Sequence, residues 1–391
     1  TFGQQYFEKT AYVNFDNNAR MKQVFEGDLD IERLVLAISA ETGVSIEAEN
    51  TLIIFDEIQE VPKALTSLKY FHENAPQYAI VAAGSLLGVA LHQGTSFPVG
   101  KVDFLDLYPL NFREFLCAMG EKQFVSMLDS CDTQMVTVFE TKYIERLREY
   151  YFVGGMPEVV KDFSEKKDYN RVRAIQKNLI NYYQQDFSKH AEIKLVPRLN
   201  LVWNSIPMQL AKENKKYIYG QVREGSRAKD FELAIQWLLD CGLIHKVQRI
   251  QKPDLSLKAY IDFDAFKLFL VDIGLLIAMT DLDAKVIIEG NKIFTEFKGA
   301  LTEQYILQQL ISDVGVIPYY YSTQNSKGEI DFLVQGKTSV IPIEVKAEEN
   351  LKAKSLKAFC EKYQPSYAVR TSMSDYREQD WMTNIPLYAV K

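Results

Sequence analysis

Three short apolar runs, Ala11–Phe15, Thr51–Phe55 and Tyr78–Ala83, constrain this chain most, because segments with helical character separate them. The first run closes at Asp16-Asn17-Asn18, and Ile31–Ala40 then repeats apolar residues at helical spacing. A second helix-like segment, Pro62 to Asn74, lies between the second and third runs. Strands alternating with helices bury both faces of a sheet, so the pattern predicts an α/β domain built on a parallel sheet. Val102–Leu107 is predicted as a further strand and Phe112–Met119 as a helix. At 391 residues the chain exceeds one ordinary core, and roughly two to three domains are expected. With 47% hydrophobic and 25% charged residues, it is neither a disordered nor a fibrous protein.

The second run reads Leu52-Ile53-Ile54-Phe55-Asp56-Glu57: four apolar residues, then two carboxylates at the carboxyl end of a predicted parallel strand. Ligands of open α/β sheets bind at that edge. The pattern is that of a Walker B motif, in which Asp56 would hold Mg²⁺ and Glu57 would act as general base toward the attacking water. The same residues would also serve as a solvated acidic turn.

From about Glu121 to His190 the sequence is helical, polar and aromatic-rich, broken at Gly154-Gly155-Met156-Pro157. Leu199–Ala211 and Lys229–Cys241 then read as amphipathic helices, followed by strand-like runs at Leu243–Val247 and Ala259–Phe263. Helices followed by a two-stranded ribbon predict a winged helix-turn-helix. Between Ser205 and Asp230, six basic residues (Lys212, Lys215, Lys216, Arg223, Arg227, Lys229) face three acidic ones (Glu213, Glu224, Asp230). In a recognition helix at Lys229–Cys241, Arg227 and Lys229 would contact DNA phosphate or base edges. The alternative is a packing module, which the acidic residues Asp230, Glu232 and Asp240 favour.

After Lys292 come a long helix to about Ile311, strands at Tyr319–Ser322, Ile330–Val334 and Val340–Val345, a helix near Lys354–Tyr363 and a strand at Tyr367–Arg370. Charged residues two apart in a strand share one face, as do Glu329 with Asp331 and Glu344 with Lys346. Carboxylates at Asp331 and Glu344, with Glu303 on the preceding helix, could hold Mg²⁺, and Lys346 could orient a nucleophile. The pattern Glu303…Asp331…Glu344-x-Lys346 resembles the PD-(D/E)XK restriction-endonuclease-like superfamily. A basic cluster follows at Lys352, Lys354 and Lys357. Activity does not follow from fold, so metal-dependent cleavage and a silent nucleic-acid clamp both remain open.

The phrases LIIFDEIQ, AAGSLLG, SFPVGKVDFLDLYPLNFREFL and YYFVGGMPE together resemble a widespread prokaryotic family of AAA-type ATPases with a C-terminal domain of unknown function. LYPLNFREF is the most specific of them, and the likeness spans nearly the whole chain. It implies ATP and Mg²⁺ as cofactors and a polar sensor at Ser85, which could equally be a helix cap. Lys101 could supply a cation to the phosphate, although the family usually has arginine there, and an exposed loop lysine is the plainer reading. The family's G-x-x-x-x-G-K-[ST] loop stands shortly before the strand at Ala11–Phe15, and this sequence, which opens at Thr1, has none. It is therefore read as N-terminally truncated, and the chain as written is expected to bind ATP poorly or not at all.

The predicted domains are an AAA-like P-loop ATPase domain over 1–120, a helical lid or linker over 121–190, a winged helix over 191–280 and a nuclease-like α/β domain over 281–391. A net charge of −7 argues against an all-over nucleic-acid coat and leaves room for a local basic patch. The four cysteines are widely spaced, which excludes a zinc ribbon or a disulfide framework and predicts a cytoplasmic protein. Phe266–Met279, interrupted by Lys267 and Asp272, reads as core rather than a membrane span. The histidines His72, His92, His190 and His245 do not cluster. The expected function is ATP hydrolysis coupled to DNA binding, with or without metal-dependent cleavage. The alternative is a nucleotide-controlled switch that holds DNA or a protein. A tail used only to assemble homo-oligomers is a third reading.

Overall fold

The computed structural model describes residues 2–85, 88, 100–212, 215–289, 295–323, 328–347 and 353–391. Leu86 and Leu87 of the AAGSLLG phrase, together with His92, Glu213 and Lys352, lie outside them. The chain divides into two compact units, residues 1–107 with 240–242, and residues 108–239 with 243–391.

In the first unit β1 (Lys9–Asn14), β2 (Thr51–Asp56) and β3 (Ala79–Ala82) form a parallel sheet in that order, with Ala11 opposite Ile53 and Leu52 opposite Ala79. The crossovers carry helices α2 (Ala19–Glu26), α3 (Ile31–Thr42) and α4 (Pro62–Asn74); a short α1 (Phe2–Tyr6) precedes β1. Their starts follow local chemistry. Asn18 accepts from the Met21 amide at 3.0 Å, Asp30 accepts from the Arg33 amide at 2.9 Å, and Pro62 opens α4, where its missing N–H costs nothing. Phe15, Phe25 and Phe55 pack edge to face at centroid distances of 5.2 to 5.6 Å over a core that includes Leu34, Ile38 and Ile53. The strand expected at Val102–Leu107 does not form. That segment belongs to no ladder, and Leu105 and Leu107 are exposed. A short apolar run predicts a strand only if a neighbour offers a free edge, which local sequence does not reveal.

The second unit opens with helices α5 (Phe112–Ala118), α6 (Lys122–Ser130), α7 (Thr133–Val138), α8 (Glu140–Val153), α9 (Pro157–Lys166), α10 (Tyr169–His190), α11 (Val196–Leu210), α12 (Tyr219–Val222) and α13 (Ala228–Asp240). The strands β4 (Ile244–Ile250) and β5 (Ile261–Leu270) pair antiparallel, but Ile244–Val247 pairs with Lys267–Leu270 rather than with the strand expected at Ala259–Phe263. Beyond them come α14 (Ile273–Met279), α15 (Ala284–Ile288), α16 (Thr295–Ser312), β6 (Tyr319–Ser322), β7 (Glu329–Gln335), β8 (Val340–Val345), α17 (Lys354–Tyr363), β9 (Val369–Ser372), β10 (Arg377–Gln379) and β11 (Met382–Pro386). All eight strands join one mixed sheet, ordered β10-β11-β9-β8-β7-β6-β4-β5. β4 pairs parallel with β6 through Arg249–Tyr320 and Ile250–Tyr321, so the ribbon after α13 is the margin of a larger sheet.

The family-like phrases find a packing explanation. Gly154 has φ 74°, and a Cβ there would meet the Asp272 carboxylate at 2.2 Å. A Cβ on Gly155 would meet the Leu110 carbonyl at 2.1 Å. Leu110 in turn donates its amide to the Gly155 carbonyl at 2.7 Å, and Asn111 and Glu114 close a capping box at the start of α5. The LYPLNFREF and GGMPE phrases are thus two halves of one backbone junction. Buried Asp272 accepts from the Gly155 amide at 2.6 Å and the Leu275 amide at 3.0 Å, and burial raises its pKa in spite of these bonds. Three glutamines of α16 fix that helix by satisfying backbone groups: Gln304 at Leu270, Gln308 at Ile273 and Gln309 at Phe112. This helix carries Glu303.

Candidate functional site

At the carboxyl end of β2 in the first unit, Asp56 lies opposite Asn14 of β1. Its Oδ2 accepts from the Tyr12 hydroxyl and, at 3.2 Å, from Asn14 Nδ2; its Oδ1 accepts from the Glu57 amide at 3.1 Å. The Asp56 hydrogen bond is the main cause of a raised Tyr12 pKa. Glu57 has φ 50°, a left-handed conformation that costs a non-glycine residue about 1–3 kcal/mol and persists when neighbours over-determine it. Here the Ile58 amide donates to the Ala83 carbonyl at 3.1 Å, holding the turn against the end of β3. The Glu57 carboxylate then accepts from Gln59 Nε2 at 2.5 Å and from Ser85 Oγ at 3.4 Å. Asp56, Glu57 and Ser85 are therefore brought together. Tyr12 and Asn14 were not among the expected residues. Their signal was the strand register, which two-residue spacing alone does not give.

Lys101 lies elsewhere. Its ammonium pairs with Glu73 at 3.2 Å, in the last turn of α4. That helix runs back from the carboxyl end of β2 toward the start of β3, and 13 residues of helix span about 20 Å. Lys101 thus belongs to the opposite edge of the sheet from Asp56.

In the second unit Glu303, Asp331, Glu344 and Lys346 gather around lysines that were not assigned to the site. Asp331 of β7 sits one residue beyond the Phe332–Ile343 pair, which sets it beside Glu344 of β8, and its Oδ2 accepts from the Val345 amide at 2.7 Å. Lys346 pairs with Glu344 Oε1 at 2.6 Å. Glu303, 5% exposed, pairs with Lys215 and lies 3.5 Å from the ammonium of Lys267, which is 0% exposed and also pairs with Glu329. Glu303 Oε2 and Glu344 Oε2 are buried without a hydrogen-bond partner among the described residues.

Electrostatics follow from this packing. Burial, then the carboxylates of Glu303 and Glu344, push Asp331 up to about 8 against the pull of Lys267 and Lys215. Burial would raise Glu303 too, but Lys215 and Lys267 outweigh it and its pKa falls. Burial opposes the charge on Lys346, and Glu344 overcomes it, so that pKa rises. Lys267 was legible only as a single lysine within an apolar run.

Glu303, Asp331 and Glu344 are the groups that a divalent ion at this cluster would have to use. Their oxygens are the hard donors that Mg²⁺ takes, yet lysine ammoniums hold Glu303 and Glu344 and a backbone amide holds Asp331. Among the described residues, no group of three or more His, Cys, Asp or Glu side chains is placed to hold a metal. The arrangement does not fit a metal centre, and no step through one is derived.

Arg227 and Lys229 are exposed at the start of α13, where Asp230 accepts from the Arg227 amide at 2.8 Å. The exposed face continues with Glu232 and Leu233. Among the described residues, no helix is long and apolar enough to cross a membrane.

Residues 1–116 match the family model of an AAA domain. This match likens the N-terminal part to ATPase domains and covers Asp56, Glu57 and Ser85. Residues 144–286 and 298–390 match two domains of unknown function, DUF8612 and DUF4143. No curated protein matches the chain. Among solved structures it is similar to a Walker-type ATPase of Pyrococcus abyssi, at 12% identity and a TM-score of 0.40, over 70% of this chain and 84% of that one.

Proposed function

We propose that this protein is an ATP-hydrolysing switch that binds DNA and does not cut it. One observation carries the nucleotide half: within the AAA-matched residues, Ser85 and Gln59 both hold the Glu57 carboxylate beside Asp56 at the carboxyl edge of a parallel sheet. Asp56 would hold Mg²⁺ through water, since its carboxylate ends the strand and is oriented by Tyr12 and Asn14. The bound ion would neutralise charge on the phosphates. Glu57 accepts the proton of the attacking water, and Ser85 aligns that carboxylate.

The DNA half rests on α11, α12 and α13 followed by the β4–β5 ribbon, which supports a winged-helix reading, and on the exposed Arg227 and Lys229. The order α16, β6, β7, β8, α17, β9, with Asp331 and Glu344 on neighbouring strands, supports a restriction-endonuclease-like reading of the tail. The lysines on its carboxylates favour a silent domain over a cutting one. The segments 1–120, 121–190, 191–280 and 281–391 would divide the functions, with the last two sharing one sheet through the β4–β6 pairing.

The test is anisotropy of a labelled duplex across a salt series. Arg227→Ala and Lys229→Ala should each weaken binding and lower the salt slope by about one. Slopes and affinities equal to wild type would overturn the assignment of DNA to this helix. Supercoiled, linear and branched DNA should stay intact in Mg²⁺ or Mn²⁺. Cleavage abolished by Asp331→Ala would instead establish the cutting reading.

A further inference from the structure

We infer that Lys215 and Lys267 occupy the place of a divalent cation in the carboxylate cluster of the second unit, making it a metal-free ion-pair centre that ties the 215–218 segment to the tail. This rests on the silent-tail reading above and supplies its physical cause.

Charge balance comes first. Three ammoniums, Lys215, Lys267 and Lys346, meet four carboxylates, Glu303, Glu329, Asp331 and Glu344. The buried Arg370 guanidinium, opposite Glu344 in the β8–β9 register, adds a fourth positive charge, so the ionised cluster is neutral. A divalent ion would carry it past neutrality in a buried setting, where uncompensated charge is costly.

Lys267 cannot leave for solvent: it is 0% exposed on β5, its ammonium lies 4.9 Å from the Tyr320 ring centroid, and it pairs with both Glu303 and Glu329. Lys215 reaches the other Glu303 oxygen from the segment between α11 and α12, with its side chain 13% exposed. Glu303 thus has a cation on each oxygen, one fixed in the sheet and one carried by a loop. Fixed lysines do for this cluster what an ion would do, with two differences. They offer no open coordination position for water or phosphate, so the cluster cannot activate a nucleophile. They also come from outside the strand–helix set that carries Asp331 and Glu344, so the cluster binds the basic segment to the tail. The next residues of that segment reinforce the attachment: the Tyr217 amide donates to the Phe266 carbonyl at 2.8 Å, and the two rings stack at 5.5 Å.

Calorimetric titration of the full-length protein with Mn²⁺ tests this, with binding heats read for wild type, Lys215→Met and Lys215→Met/Asp331→Ala. The sites at Asp56 and at the cluster are separated by repeating each titration in an Asp56→Ala background. Wild type in that background should take up no Mn²⁺. Lys215→Met should gain a Mn²⁺ site that Asp331→Ala removes. If wild type binds Mn²⁺ through Asp331, the inference is overturned, whether or not Lys215→Met folds. If Lys215→Met folds and gains no site, the inference is also overturned. The cleavage assay with Asp331→Ala reports on the silent tail by itself, so a failed titration with DNA left intact overturns the lysine placement and keeps that reading.

Discussion

At the scale of single residues, Asp331 is the most informative side chain. Its carboxyl is held near 8 by burial and by Glu303 and Glu344, whereas an unfolded aspartate titrates near 3.9. Between those values the folded state binds more protons than the unfolded one, so this group's contribution makes stability fall as pH rises through that window. Asp331→Asn removes this titrating group. Urea unfolding at pH 5 and at pH 8 should show a steeper loss toward pH 8 in wild type than in Asp331→Asn. Equal slopes would mean that Asp331 ionises normally and that the cluster does not desolvate it.

Elements were legible unevenly. Apolar periodicity and caps located β1, β2, α3, α11, α13 and the β6–β7–β8 series to within a few residues, because those signals are local. Ladder partners are not local. Nothing in Ile244–Ile250 announces that it also pairs with Tyr320 and Tyr321, and nothing in Val102–Leu107 announces that no ladder will take it. The carboxylates of the candidate sites were legible from their strand ends. Lys267 was not, since a buried lysine is defined by partners 36 and 62 residues away, and Lys215 was counted only as surface charge. The glycines of the GGMPE phrase were visible as a break, and the backbone junction explains them. Gly155→Ala should destabilise the second unit by about 1–3 kcal/mol, because its Cβ would strike the Leu110 carbonyl. Thermal unfolding within error of wild type would show that this junction can yield.

For the whole molecule, a net charge of −7 sets limits on any DNA contact. Long-range attraction is weak, so any such contact would come from a local patch, with a salt slope set by the few phosphates it meets. That suits a switch, in which the nucleotide-dependent unit controls a modest contact, better than a processive enzyme with a broad basic groove. The central claim is that Glu57, held by Ser85 and Gln59, is the base that hydrolyses ATP. Steady-state hydrolysis and nucleotide binding of the full-length protein, compared between wild type and Glu57→Gln, test it most directly. The account predicts hydrolysis reduced by about 10²-fold or more with nucleotide binding kept. Hydrolysis unchanged in Glu57→Gln would contradict it.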